Sequence, residues 1–276
     1  MTGPWPLAVH DLGGHGPTLV LVHATGLHGR VWAPLARHLA GTYRCLAPDL
    51  RGHGASGGPP PGEDGQAMAW PSLADDLAAA VAALGAPVLG VGHSLGASVA
   101  LLAEQAHPGT FAALYCFEPI GATTDDPPPP APGHPLAQRA AHRRDDFGSR
   151  AEARAAYAAK EPFASVDPDA LDAYVEGGFV DRPGGTVALA CPPAVEAATF
   201  AWGLSHPVFR DLPRVAPPVT LAVGARSRAV AAADLARWAE RLPAGRLLVL
   251  EALDHFAPLA APAALAADAA RALAGR

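Results

Sequence analysis

Gly92-His93-Ser94-Leu95-Gly96 constrains this chain more than any other five residues, because of what flanks it. Upstream, Pro87-Val88-Leu89-Gly90-Val91 is a short apolar run with strand character. Downstream, Ala97-Ser98-Val99-Ala100-Leu101-Leu102-Ala103-Glu104 contains strong helix formers and no breaker. A serine on a sharp strand-to-helix turn sits in crowded, strained backbone, and glycines two residues to either side supply the small neighbours it needs. Such a turn lifts the hydroxyl clear of a sheet. It also leaves the next N–H at a helix amino terminus, where negative charge on an approaching oxygen is stabilised. The pattern reads as a nucleophile elbow, with a glycine-flanked helix-capping serine as the alternative.

The 276 residues suffice for one large domain, or one domain carrying an insertion. Half of them are hydrophobic and 17% are charged, so a substantial core can be buried and global disorder is excluded. The formal charge is −6, from 20 basic against 26 acidic residues, and the longest basic block is Arg143-Arg144. Nucleic acid and anionic membrane are therefore excluded as main partners, and a small molecule is expected instead. No apolar run approaches the roughly 18 residues of a membrane span. Residues 1–6 lack the charged-then-apolar pattern of a signal segment, so a cytoplasmic location is expected. Cys45, Cys116 and Cys191 are scattered, with no C-x-x-C pair, and read as reduced packing thiols. No His and carboxylate set has ligand spacing, so neither metal nor cofactor is expected.

Along the chain, strand-like and helix-like segments alternate. Strands are expected at 18–22, 43–47, 88–93, 111–117, 219–224 and 247–250. Helices are expected at 31–39, 72–84 with Ser72 as cap and Asp75 and Asp76 in the first turn, 97–104, 231–241 and 263–274. Strands separated by helices imply an α/β fold, a mostly parallel sheet covered on both faces. Between Gly121 and Pro213 the rhythm changes: the stretches at 151–157 and 168–175 are helix-like, and no long buried strand occurs. We therefore expect a core of residues 1–120 and 214–276, with residues 121–213 as a helical cap. The prolines from 127 to 130 stiffen the entry to that cap.

A serine hydroxyl is a poor nucleophile unless a base takes its proton. Ligands of open α/β sheets gather at the carboxyl ends of the strands, so a histidine on a loop leaving a late strand suits that task. Of the 12 histidines, His255 in Glu251-Ala252-Leu253-Asp254-His255-Phe256 is placed best, and His23, which ends an early strand, is its main rival. His93 is expected to point away from the serine. Asp254 is too close in sequence to reach Nδ1 of the neighbouring ring, Asp234 falls inside a helix, and Glu251 precedes the loop.

With these motifs in this order, the chain resembles the α/β-hydrolase superfamily over about residues 5 to 120 and 214 to 276. His23-Ala24-Thr25-Gly26 resembles the His-Gly oxyanion loop, with Ala24 in place of the usual glycine. Asp49-Leu50-Arg51-Gly52-His53-Gly54-Ala55-Ser56 is similar to the turn after the next strand, where Asp49, Arg51 and His53 read as a hydrogen-bonded scaffold. The resemblance implies that the N–H groups of Thr25 and Leu95 form an oxyanion hole. It also implies an acid after the penultimate strand, but the stretch there is Gly224-Ala225-Arg226-Ser227, with a serine where the acid belongs. Glu118, just past the strand at 111–117 and followed by Pro119, is the substitute, since some members place the acid after that strand. The alternative for Glu118 is a pocket or capping carboxylate.

The resemblance thus implies a serine hydrolase acting on an ester, lactone or thioester of a small to medium, partly apolar molecule. Ser94, His255 and Glu118 would form its triad. A C–C bond hydrolase remains open, as does a non-hydrolytic sensor or biosynthetic cyclase with the same cavity. Phe163, Tyr174, Phe179, Phe200, Trp202 and Phe209 are read as packing between cap and core rather than as binding residues.

Overall fold

The computed structural model describes residues 3–62 and 65–275. Met1 and Thr2, which open the stretch inspected for a signal pattern, and Arg276 at the end of the expected core lie outside the described residues. The first part of the chain holds β1 (Val9–Asp11), β2 (Thr18–Val22), α1 (Ala33–Leu39), β3 (Arg44–Pro48), α2 (Trp70–Ala83), β4 (Val88–His93), α3 (Leu95–Ala106) and β5 (Phe111–Phe117). Then come α4 (Pro135–Ala141), β6 (Asp146–Phe147), α5 (Arg150–Ala158), α6 (Pro168–Gly177), β7 (Phe179–Asp181), β8 (Val187–Leu189), α7 (Pro193–Ala201) and α8 (Val208–Asp211). The last part holds β9 (Val219–Gly224), α9 (Ala232–Arg241), β10 (Gly245–Leu250), α10 (Ala257–Ala260) and α11 (Pro262–Leu273).

Seven strands form one sheet in the order β1-β3-β2-β4-β5-β9-β10, and only β1 runs antiparallel to its neighbour. The central strands are apolar without interruption because both of their faces are covered. Leu19 and Leu21 of β2 pack with Trp32, Leu35 of α1 and Leu265 of α11. Val20 and Val22, pointing the other way, belong to a second buried cluster that includes Leu73 and Leu77 of α2, Leu101 of α3 and Leu235 of α9. The strands also finish together. Val22 stands opposite Gly92, His93 opposite Phe117, Phe117 opposite Ala222, and Leu250 opposite Gly224. Hence the residues that follow, His23, Ser94 and Glu118, leave the sheet side by side at its carboxyl edge.

Three expectations need correction. Helix α2 begins at Trp70 with Pro71 in its first turn, so Ser72 caps nothing and Asp75 and Asp76 lie beyond that turn. Asp76 instead turns inward, where Arg51 Nε and Nη2 donate to its two oxygens at 2.7 and 2.6 Å. Strand β1 and helix α10, three and four residues long, were not expected; elements that short carry no legible period. Residues 121–213 hold the expected helices, α4 to α8, but also a three-stranded antiparallel sheet in the order β6-β8-β7. Its strands have only two or three residues each, too few for an alternation to show.

Candidate active site

Ser94 sits between β4 and α3 with φ 53° and ψ −117°. Among the described non-glycine residues, only Ser94 and Glu118 (φ 48°) have positive φ. Each such conformation costs about 1–3 kcal/mol and persists only where the surroundings impose it. The surroundings here are explicit. Ser94 N–H donates to Phe117 O at 2.9 Å, and Ser94 O accepts from the N–H groups of Ala97 and Ser98 at 3.1 and 3.2 Å. A Cβ on Gly96 would stand 2.2 Å from Val22 O, and one on Gly92 would stand 2.5 Å from Ala97 Cα, so both positions must be glycine for the turn to close. Ser98 Oγ exchanges hydrogen bonds with Ile120 O and Ile120 N at 2.7 and 2.9 Å, which ties α3 to the segment carrying Glu118.

Glu118 is fully buried, and three donors converge on its carboxylate. Oε1 accepts from Gly224 N–H at 2.9 Å, and Oε2 accepts from Ser227 Oγ at 2.7 Å and from His255 Nδ1 at 2.6 Å. Buried carboxylates are tolerated when so paired. A carboxylate can only accept, so the His255 Nδ1 carries the proton and Nε2 is left free to take one. Ser227, at the position where the resemblance implies an acid, is thus a donor to the Glu118 carboxylate. Removing its hydroxyl leaves the other two donors in place. Ser227→Ala is expected to lose about 1.5–3 kcal/mol in denaturant melts, while ester turnover falls less than about tenfold. A much larger loss of turnover would mean that Ser227, not Glu118, orients the ring.

The strand ends bring Ser94, His255, Glu118 and the loop from His23 to His28 to one edge of the sheet. His255 lies over the residue that precedes the serine, its ring centroid 4.8 Å from that of His93. His93 is 2% exposed, and its ring lies against those of Phe117 and His255. Burial holds its imidazole well below the usual histidine range. His23, the rival base, is occupied elsewhere. Its Nε2 accepts from Leu50 N–H at 2.9 Å and its Nδ1 donates to Ala24 O at 2.9 Å. Burial and the neighbouring His53 lower its pKa to about 3. That ring fixes the loop rather than shuttling protons.

Leu95 is the first residue of α3, so its N–H has no acceptor within the helix. Among the described residues neither it nor Thr25 N–H donates to a protein group. Asp49 underpins the loop on the core side, accepting from Gly29 N–H at 2.6 Å, Ala55 N–H at 2.7 Å and His10 Nε2 at 2.9 Å. Burial works against its charge, but His10, His23 and these amides outweigh it and hold the carboxyl well below the usual range. Asp49, Arg51 and His53 form the hydrogen-bonded scaffold that the sequence implies.

Phe163 packs on Tyr174 with ring centroids 4.6 Å apart and reaches Phe256, next to His255, at 6.4 Å. Phe209 packs on Trp238 in the core, and Trp202 Nε1 donates to Gly65 O at 3.1 Å. Sequence reasoning missed Arg143 and Glu196, which lie against Gly26 of the oxyanion-type loop. Arg143 reads as half of a short basic pair, and nothing local distinguishes it from its exposed neighbour Arg144. A cavity of about 150 Å³ opens at the amino ends of β9 and β10, opposite the end that carries Ser94. A shallower one of about 430 Å³ borders β1, three strands across the sheet from β4. Neither touches the converging residues. Among the described residues, no group of three His, Cys, Asp or Glu side chains is arranged to hold a metal, and no helix is long and apolar enough to cross a membrane.

Comparison with known proteins points the same way as this geometry. A family model described as "Alpha/beta hydrolase family" matches residues 19–269. Lipase LipV of Mycobacterium tuberculosis is 32% identical over 279 residues, covering 95% of this chain and 95% of that protein. The 2-(acetamidomethylene)succinate hydrolase of Mesorhizobium japonicum is 30% identical over 254 residues, covering 88% of this chain and 83% of the relative. A crystal structure of E-2-(acetamidomethylene)succinate hydrolase superposes with a TM-score of 0.79 at 25% identity, over 96% of this chain and 94% of that one.

Proposed function

The chain belongs to the alpha/beta hydrolase family, and on that premise we propose that it is a serine hydrolase cleaving ester-type bonds through an acyl-enzyme on Ser94. The substrate class is an ester, lactone or thioester of a small to medium, partly apolar molecule. Residues 121–213 would be the cap over the site, and Ser94, only 8% exposed, lies in a largely covered position.

The observation that carries this reading is the 2.6 Å hydrogen bond from His255 Nδ1 to the buried Glu118. It leaves Nε2 as the base. Ser94 Oγ adds to the substrate carbonyl as Nε2 takes its proton. The carbonyl oxygen becomes an oxyanion, for which the unengaged N–H groups of Thr25 and Leu95 are the donors. The imidazolium, stabilised by Glu118, then protonates the leaving group, and the tetrahedral species collapses to the acyl-enzyme. A water that gives its proton to the same nitrogen releases the acid and restores Ser94. The two relatives named as a lipase and a hydrolase support an enzyme over a sensor. So does Ser227: its hydroxyl serves the Glu118 carboxylate, and the departure at the usual acid position no longer favours a non-hydrolytic role.

A fluorophosphonate probe is the direct test, because it phosphonylates only a serine whose proton is being taken. The native protein is expected to gain one adduct on the peptide containing Ser94, and Ser94→Ala to gain none. A folded native protein that stays unlabelled would overturn the proposal. A panel of short acyl esters, lactones and thioesters would then rank the substrate classes.

A further inference from the structure

Gly26, the residue after Thr25, has φ +74° and carries a buried ion pair directly against its Cα. A Cβ there would stand 2.6 Å from Glu196 Oε1 and 3.4 Å from Arg143 Nη1. These two side chains come from the inserted segment, and they are bound to each other, Nη1 to Oε2 at 2.6 Å. Arg143 has further partners. Its Nε and Nη2 donate to Tyr157 Oη at 3.2 and 2.6 Å, and Nη2 also donates to Tyr174 Oη. One guanidinium just after α4 thereby joins α5 through Tyr157, α6 through Tyr174 and α7 through Glu196. The loop is held a second time from the same side: His28 Nε2 donates to Tyr174 O at 3.1 Å, and the two rings stack.

On the core side the loop is pinned by His23 to Leu50, as described above. On the insertion side the side chains nearest to Gly26 are those of Glu196 and Arg143. We propose that the Arg143–Glu196 pair is a positioning device: it presses the insertion onto Gly26 and so holds the adjoining Thr25 N–H at the oxyanion position. Neither side chain touches the reacting atoms in this scheme. A misplacement of the donor by a fraction of an ångström weakens binding of the charged intermediate while leaving ground-state binding almost unchanged. The inference rests on the serine-hydrolase reading above, and its test is chosen to separate the two.

A trifluoromethyl ketone reports the oxyanion directly. Ser94 Oγ bonds to the ketone carbon, His255 takes the hydroxyl proton, and the carbonyl oxygen becomes the alkoxide that the two N–H groups bind. Glu196→Ala is expected to lower kcat on a p-nitrophenyl ester by about tenfold and to weaken ketone affinity by the same factor, with KM nearly unchanged; its melting temperature falls because Arg143 loses its carboxylate partner, so both are read well below the variant's melt. Glu196→Gln, which keeps the volume and a hydrogen bond to Arg143, is expected to recover most of both. Unchanged ketone affinity in folded Glu196→Ala overturns the inference while the native enzyme still binds the ketone. So does a loss that falls on KM alone. Should Glu196→Ala fail to fold, Glu196→Asp decides the matter, because it keeps the charge and withdraws the arm: unchanged ketone affinity there is equally fatal. A native protein that binds no ketone overturns the serine-hydrolase reading, and this inference with it.

Discussion

Glu118→Gln is expected to lower ester turnover by about 10⁴ while leaving the protein folded, the loss seen when the acid of a serine protease is replaced by its amide. The present site explains why so small a change should matter. The Glu118 carboxylate is only an acceptor, and it fixes His255 with the proton on Nδ1. A glutamine presents one oxygen and one NH₂. Gly224 N–H can only donate, so the amide oxygen stays at the Oε1 place, and the NH₂ takes the Oε2 place, facing both His255 Nδ1 and Ser227 Oγ, which can turn to accept. Nδ1 must then accept, the proton moves to Nε2, and the base is lost. The imidazolium formed during turnover also loses its counter-charge. The check is kcat/KM on an activated ester together with a melt: a folded Glu118→Gln protein with full turnover would remove Glu118 from the mechanism. Placing the acid back in its usual position, as Ser227→Asp in the Glu118→Gln background, is the complementary measurement. It restores a carboxylate beside the same ring and is expected to recover part of the loss.

The architecture was legible because it rests on burial. The runs at 18–22, 88–93, 111–117 and 219–224 are apolar on successive residues, and only a sheet covered on both faces makes use of that pattern. The helices between residues 121 and 213 follow the same logic, whereas the order of the strands in the sheet was not legible. Glu118 was reachable for a different reason. It follows the strand at 111–117, where some members of the family place the acid, and the usual acid position is held by Ser227. What the sequence could not convey was anything built from distant side chains. The positive φ of Glu118, the bond from Ser227 and the seat of His93 against His255 depend on which strands are neighbours. The cap of α2 was misread because Ser72 looks like a capping residue locally, whereas Pro71 and the inward pull of Arg51 on Asp76 set the helix start and its polarity. Arg143 and Glu196 are 53 residues apart, and no local pattern joins them.

Several imidazoles that do no chemistry in this scheme make the protein acid-labile, and the expected effect is large. His23 has its pKa lowered to about 3, by burial first and then by His53. Those of His28 and His206 are lowered to about 4, again by burial. The hydrogen bonds show why. A proton on His23 Nε2 would face the Leu50 N–H that now donates to it. Nδ1 of His28 is buried without a partner, so a proton placed there would have no acceptor. All three rings bind protons more weakly in the folded chain than in the unfolded one, where histidine titrates near 6.5. As pH falls below that value the unfolded state therefore takes up protons first. Stability that is full above about pH 6.5 is lost progressively down to about 4, at about 1.4 kcal/mol per pH unit for each ring. Three such rings lose about 4 kcal/mol per unit together, a large part of the 5–15 kcal/mol that holds a typical domain. Asp49 adds its own loss only lower, because its carboxyl titrates near 3.8 when unfolded and lower still when folded. Urea melts between pH 8 and 4.5 should thus show a midpoint that is flat above neutrality and collapses below pH 6. Replacing His206 with glutamine should flatten that slope by close to one proton. A midpoint independent of pH across this range would mean that the folded rings take up protons as readily as the unfolded ones, and the hydrogen bonds around His23 would have to be redrawn.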